Sequence, residues 1–293
     1  MSKRIAVFSD VHGNLHALQA MYADSLRHGV DEYWFIGDLL MPGPGVMEIW
    51  QLIKKMQPSV MVRGNWDDLT VKGVRGQMDL EKPSRIYFAR LAQYVGEHVS
   101  AAVIDEIASW PLHVQKQAGK LTFGISHNLP TLNMGQALFP TNPVEHFDQL
   151  FENFDQQDVA IYAHVHHSLM RYASDERLIL NPGSVGEPFN GWWPLQHDTR
   201  AHYLILEVDD DGIAELDYRH VPYDRESEYE LAVESDIPYL ELYKRTLETG
   251  RVNTHDQELL DQINRKWDYL AEYQAYAKRV EYQAYAKRVK KHS

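Results

Sequence analysis

The chain has 293 residues, a formal net charge of −13 and no cysteine. That length supplies one large α/β domain or two modest ones, and the acidic balance argues against a broad phosphate-neutralising surface for duplex DNA. Without thiols, any metal must rest on His, Asp, Glu or Asn. No apolar run approaches the ~20 residues of a membrane span. The first residues lead into a strand with no apolar signal region, so a cytoplasmic location is the expectation.

Taken in order, residues 4–8 form a β-prone run, followed by Ser9-Asp10-Val11-His12-Gly13-Asn14. A helix is predicted next, because Leu15, Leu18, Met21, Tyr22 and Leu26 recur at helical spacing. If the segment stays extended, Asp10 and His12 point the same way and can bind one metal ion, while Gly13 permits a tight turn into the helix. Residues 32–36 are the second strand, ending in Gly37-Asp38, and the Pro/Gly-rich residues 41–45 are loop. Residues 46–56 read as a helix with Ile49, Leu52, Ile53 and Met56 inward, and residues 59–62 as a strand ending in Arg63-Gly64-Asn65-Trp66-Asp67.

Residues 68–112 lack strand signals and read as a helical insertion, with helices over 85–95 and 101–107. Strands resume at 121–125 before Ser126-His127-Asn128, at 159–163 before His164-Val165-His166-His167, and at 178–180 before Asn181-Pro182-Gly183-Ser184. Residues 202–208 and 213–218 flank Asp209-Asp210-Asp211-Gly212, a hairpin signal. This alternation is that of an α/β protein, with a main domain over 1–222 and a helical C-terminal extension over 223–271. Residues 272–280 are repeated residue for residue as 281–289. Nine residues turn a helix by about 900°, so one continuous helix cannot bury both copies equally. A frayed tail over 272–293 is the expectation, with the charged run 287–290 solvated.

Each chemistry-bearing residue follows a predicted strand, and in an α/β sheet such ends converge on one edge. Asp10 and His12, Asp38, Asn65, His127, and His164 with His166 make a thiolate-free set suited to Mn²⁺, Fe or Zn²⁺. The ordered motifs Asp10-x-His12, Gly37-Asp38, Gly64-Asn65, His127 and His164-x-His166 resemble those of the calcineurin-like metallophosphoesterases, over about residues 4–220, in particular the compact bacterial and archaeal branch. The resemblance implies a four-layer α-β-β-α sandwich. It also implies two divalent ions, one on Asp10, His12 and His166, the other on Asn65, His127 and His164, with Asp38 bridging. Manganese is favoured, with Fe, Zn, Ni, Co or Mg as alternatives. Two ions roughly 3.5–4 Å apart share a hydroxide, lower its pKa and hold the phosphoryl oxygens for in-line attack.

Two departures stand out. Many members of the family carry His directly after the Asn, where this chain has Trp66, so hydrolysis of poor alcohol leaving groups is in doubt. Ala163 replaces the usual Gly before His164. Among the neighbours, Asn14 either orients phosphate or caps the first helix. Asp67 either orients a ligand or acts as an acid, with helix capping the favoured alternative. Asn14, Asp38, Asn65 and Asp67 are therefore the candidate catalytic residues. Arg63 reads as an ion-pair partner or a substrate contact, and Trp66 as packing or a stacking surface. His167 is left out of the metal shell, and His16 is assigned to a helix surface. Asn181 to Ser184 shape the site floor. Phe189, Trp192 and Trp193 either close a core edge or stack on a nucleobase.

The expected activity is hydrolysis of phosphodiester or phosphoanhydride bonds in a small phosphate-ester or nucleotide substrate. Dinucleoside polyphosphates are favoured, because the wider pattern resembles bacterial phosphodiesterases that include diadenosine tetraphosphate hydrolases. The alternative is a catalytically weak scaffold that binds a protein partner. Nuclease action on long nucleic acid is disfavoured by the charge. Protein phosphatase action is disfavoured because residues 37–43 lack the longer Gly-Asp-x-x-Asp-Arg-Gly signature.

Overall fold

The computed structural model describes residues 2–154 and 156–291, with side chains through residue 286. The charged run 287–290 therefore falls outside the described side chains. Ten strands are β1 (Lys3–Phe8), β2 (Glu32–Phe35), β3 (Val60–Met61), β4 (His113–Ala118), β5 (Leu121–Ser126), β6 (Val159–Ile161), β7 (Ser168–Tyr172), β8 (Leu178–Pro182), β9 (Ala201–Val208) and β10 (Ile213–Val221). Their helical partners are α1 (Leu15–Arg27), α2 (Met47–Met56), α3 (Asn65–Val74), α4 (Pro83–His98), α5 (Ala101–Ser109), α6 (Val144–Asp148) and α7 (Trp193–Gln196). The C-terminal part adds α8 (Arg225–Glu234), α9 (Leu240–Thr249), α10 (Gln257–Lys266) and α11 (Tyr269–Lys291).

The strands form two mixed five-stranded sheets, ordered β10-β9-β1-β2-β3 and β4-β5-β6-β8-β7. Alternation of side chains along a strand decides the layering. Ile5 and Val7 of β1 face a core shared with Phe123, Ile125, Ile161 and Leu180 of the second sheet. Ala6 and Phe8 face the opposite way, into the core under α1 and α2. A third core lies outside the second sheet, where Phe147 and Phe151 cover Tyr162 and Ile179. Three apolar layers between four structural ones make an α-β-β-α sandwich with a helical C-terminal extension. Trp34 is fully buried between the sheets with Phe123 edge-on, the ring centroids lying 5.4 Å apart.

Two strands escape the sequence reading, β4 (HVQKQA) and β7 (SLMRY). Both are edge strands, and an edge strand buries too little surface to need an apolar run. In α2 the buried set is Ile49, Trp50, Ile53 and Met56, with Trp50 in place of Leu52. Residues 68–112 hold most of α3 and all of α4 and α5.

Helix α11 carries both nine-residue copies in one run, so the second copy continues the helix where fraying was expected. The first copy fills a groove: Tyr273 donates to the carbonyl of Gly73 at 2.8 Å and Tyr276 to that of Val74 at 2.9 Å. The matching residues of the second copy, Tyr282 and Tyr285, are 73% and 66% exposed. Excising either copy yields the same chain. Deletion of residues 281–289 is expected to leave Tm within about 2 °C of the full chain in a thermal melt, because exposed side chains contribute little. A larger drop would show that the second copy packs in solution.

Glu32, at the start of β2, ties both sheets together. Its carboxylate pairs with Lys3 of β1 and, at 3.2 Å, with Lys116 of β4, and accepts from Ser59 and from Trp34 Nε1 at 2.9 Å. Burial pushes this carboxyl up, but the hydrogen bonds from Lys3, Ser59, Trp34 and Lys116 outweigh it and hold it at about 2, against an ordinary 4.5. A depressed carboxyl stabilises the fold above its unfolded value and loses that contribution as pH falls through the folded value. The Tm difference between wild type and Glu32→Gln should therefore be full above about pH 5 and close towards pH 2. A difference independent of pH would exclude this linkage.

Candidate metal centre

The site grows from strand ends that are stitched to one another. Past β1 and β2 the two loops continue a backbone ladder: Asp10 N–H donates to Gly37 O at 2.9 Å, Val11 and His12 to Asp38 O, and Gly13 to Leu39 O. The floor closes the other side, with Val185 N–H on Ser9 O, Gly186 N–H on Asp10 O, and Ser184 Oγ also donating to Asp10 O. The sequence argument placed Asp10 and His12 on an extended segment, and the structure corrects it. Asp10, His12, Asp38, His164 and His166 all have positive φ, between 52° and 66°. Non-glycine residues rarely adopt this left-handed region, and clusters of them mark sites whose surroundings over-determine the backbone.

These turns gather all seven candidate ligands. Nε2 of His166, His12 and His127 lies 3.1, 3.7 and 3.9 Å from Oδ1 of Asp10. Oδ2 of Asp38 lies 3.2 Å from His127 Nε2 and 3.9 Å from His12 Nε2, so it faces both halves. Asn65 Oδ1 is 3.1 Å from His127 Nε2, and the His164 ring is 5.3 Å from that of His127. Potential ligand atoms of Asp10, His12 and His166 cluster within 4.8 Å of one another, as do those of Asp38, His127 and His164.

The other ring nitrogens are committed to the backbone. Nδ1 of His12 donates to Met41 O at 2.9 Å, that of His127 to Ile36 O at 2.7 Å, and that of His166 to Glu187 O. This network leaves Nε2 of each ring facing the centre, as the atom that would ligate an ion once its proton is displaced. The second oxygens of the carboxylates are also occupied, Asp10 Oδ2 by the Ser9 hydroxyl and Asp38 Oδ1 by Trp66 N–H at 2.8 Å. Their partners, Asp10 Oδ1 and Asp38 Oδ2, are buried with no hydrogen-bond partner among the described residues. Two buried anionic oxygens ringed by imidazole nitrogens fit a pair of divalent cations.

Electrostatics agree. Burial pushes the His12 imidazole down, but Glu187, Asp10 and Asp38 outweigh it and hold it up at about 10. His127 is likewise raised, to about 9, with Asp38 the leading cause against burial. His164 is pushed down to about 4 by burial and then by His127. Without metal the carboxylates keep protons on their neighbours, which a bound ion displaces.

The remaining candidates fall outside this centre. Asn14 caps α1, its Oδ1 accepting from Ala17 N–H at 3.0 Å, while its amide donates to Gly186 O and the Tyr223 hydroxyl. Asp67, in the first turn of α3, accepts from the N–H groups of Asp38, Leu39 and Gly64 at 2.8–3.0 Å. Its carboxyl is raised to about 6 by burial and by Asp38. Both side chains are thus engaged mainly with backbone groups beside the ligands. Arg63 pairs with Asp68 at 2.8 Å. Trp66 is packing: its ring sets edges against His12 and Phe88, both at 4.9 Å. His167 lies between Phe139 and Phe189. His16 is more than a surface residue, since it pairs at 2.6 Å with the fully buried Glu228. Sequence reasoning missed Glu187, which is buried and acts electrostatically on His12. It belongs to no motif, and only the turn after Ser184 brings it here.

One close approach governs the geometry. A Cβ built on Gly64 would sit 2.0 Å from Asp38 Oδ1 and 2.7 Å from its backbone N. Gly64→Ala is therefore expected to displace Asp38 and cut turnover by about 10²-fold or more while the protein stays folded, since misplacement by about 1 Å costs that much. Steady-state kinetics beside circular dichroism would check this; unchanged turnover would mean that Asp38 can move without consequence.

Comparison with known proteins places this geometry in context. The profile of the calcineurin-like phosphoesterase superfamily domain matches residues 4–211. An uncharacterized protein of Methanocaldococcus jannaschii is 26% identical over 247 residues, covering 80% of this chain and 93% of that protein. The crystal structure of a metallophosphoesterase from Sphaerobacter thermophilus aligns with a TM-score of 0.62 and 25% identity, over 85% of this chain and all of the other. A hypothetical protein from Pyrococcus horikoshii shares the fold with a TM-score of 0.67 at 17% identity, over 85% of this chain and 98% of its own.

Proposed function

Given that this chain belongs to the calcineurin-like phosphoesterase superfamily, we propose that it is a dimetal hydrolase of phosphodiester or phosphoanhydride bonds in nucleotide substrates. The observation that carries this reading is the pair of buried oxygens, Asp10 Oδ1 and Asp38 Oδ2, that no described residue satisfies. Asp10, His12 and His166 would hold one ion and Asn65, His127 and His164 the other, with Asp38 between them. When bound, such a pair supplies Lewis-acid charge to the phosphoryl oxygens and lowers the pKa of the attacking water. Mn²⁺ is the first choice for this nitrogen and oxygen donor set. The protein's part is to hold the ligands rigidly: three Nδ1 atoms tethered to carbonyls, and Asp38 tethered through Trp66 N–H.

Leaving-group chemistry narrows the substrate. Trp66 stands where many relatives have His, and its ring is packed against His12 and Phe88. An indole there offers no proton to a departing alkoxide. Nucleotide and pyrophosphate groups leave as stable anions and need none, which favours dinucleoside polyphosphates over simple alkyl esters. The segment after Glu187 adds a second support. Glu187 O holds His166, and five residues further along Trp192 and Trp193 are each 65% exposed. Exposed indoles in the loop that follows Glu187 suit stacking on a nucleobase.

The test is turnover by metal-stripped protein refilled with Mn²⁺, on bis-p-nitrophenyl phosphate, p-nitrophenyl phosphate and diadenosine tetraphosphate in parallel, with Asp38→Asn as control. Metal-dependent cleavage of the diester and the dinucleotide is expected, with the substitution weakening both ions and removing nearly all turnover. Metal uptake with no turnover of any substrate would replace this reading by a partner-binding scaffold. Normal turnover by Asp38→Asn would overturn the bridging assignment.

A further inference from the structure

A second group of metal-competent side chains lies outside the candidate metal centre, at the start of the β9–β10 hairpin. His202 and His220 are register partners on these two strands, their rings stacked with centroids 3.7 Å apart and planes at 21°. Asp198, four residues before His202, joins them: its Oδ2 lies 2.7 Å from His220 Nδ1 and 3.6 Å from His202 Nε2. His202 is 8% exposed, yet neither ring nitrogen has a hydrogen-bond partner among the described residues. A buried imidazole normally satisfies at least one of its nitrogens.

We infer that Asp198, His202 and His220 form a separate binding site for a borderline divalent cation, with Zn²⁺ the best match. Two imidazole nitrogens and one carboxylate oxygen are a recurrent Zn²⁺ donor set, and ligand distances of 2.0–2.2 Å put tetrahedral donors about 3.3 Å apart. The 3.6 Å edge already meets that spacing, and the 2.7 Å hydrogen-bonded edge opens by about half an ångström on metal entry. His220, whose side chain is 31% exposed, has room to turn out of the stack and aim Nδ1 at the ion. A cleft of about 340 Å³, lined by Asp198, Thr199, Arg200 and Arg225 among others, borders the carboxylate side of the cluster.

Arg200 is the competitor. Its Nε and Nη2 each donate to an Asp198 oxygen at 2.7 Å, and Nη2 lies 3.4 Å from His220 Nδ1. The guanidinium therefore occupies the carboxylate that the cation would take, and at 51% exposure it can swing into solvent. The site is one backbone bond from the floor of the metal centre, through His202 N–H on Ser184 O at 2.9 Å. A bound ion would join the hairpin and the preceding turn beside that floor.

The experiment counts Zn²⁺ bound by metal-stripped full-length protein, in wild type, His220→Ala, Asp198→Asn and Arg200→Ala, with circular dichroism to verify folding. His220→Ala and Asp198→Asn should each bind one equivalent fewer than wild type. Arg200→Ala should keep the full count and bind that equivalent up to about fivefold more tightly, as expected for loss of a partly exposed ion pair. The count is a difference, so it stands whether or not the centre around Asp38 takes two ions. Equal counts in wild type and both ligand variants would show an ion-pair cluster only and overturn the assignment. Weaker binding by Arg200→Ala would equally overturn the exchange of guanidinium for metal.

Discussion

Two carboxylate oxygens at the centre of this protein, Oδ1 of Asp10 and Oδ2 of Asp38, are denied every hydrogen-bond partner the described residues have to offer. Leaving a buried acceptor unsatisfied costs about 1–3 kcal/mol, and more for an ionised one. A fold accepts that cost only where something outside the polypeptide repays it. The surrounding geometry is consistent with such a purpose. Five residues adopt left-handed backbone to aim side chains inward, and three histidines have one nitrogen committed to a carbonyl so that the other cannot turn away. Gly64 carries no side chain because Asp38 occupies the space that a Cβ would need. Each feature is unfavourable or restrictive alone, and together they describe a preformed cradle for cations.

Much of this was legible in the sequence for a simple reason. Strands that end in short polar motifs deliver those motifs to one sheet edge, so five motifs in order are enough to collect Asp10, His12, Asp38, Asn65, His127, His164 and His166. The mechanism inferred for their delivery was less accurate. Asp-x-His on an extended segment would align its side chains by alternation, whereas here both residues are left-handed and the alignment comes from the ladder between the two loops. That ladder pairs residues far apart in sequence, and no local pattern announces it. The edge strands β4 and β7 were hidden because they bury little. Glu187 was hidden because its position depends on the turn following the floor motif.

Trp66 combines a backbone task at the ligands with a separate packing task for its side chain. Its backbone N–H serves Asp38, a task that any residue but proline performs at that point. Its side chain is thus free to be something other than an acid, and here it becomes a wall against His12, Tyr87 and Phe88. Packing of this kind fixes the imidazole plane of His12 while removing a proton donor from the rim.

The helical C-terminal part is wired into the same cradle. Glu228 of α8 is fully buried, accepts from His16 at both N–H and Nδ1, and takes the Tyr243 hydroxyl at 2.7 Å. This places a carboxylate at the N-terminus of α1, where the helix dipole favours negative charge. Tyr223 meets the amide of Asn14, the residue that caps the same helix. The turn carrying Asp10 and His12 is therefore held from two directions, by the sheet ladder on one side and by residues past position 220 on the other. Removing one member of so buried a network leaves charge or hydrogen-bonding capacity stranded. A chain cut after β10 would keep all seven candidate ligands in its sequence and lose the supports that keep α1, and with it His12, in register.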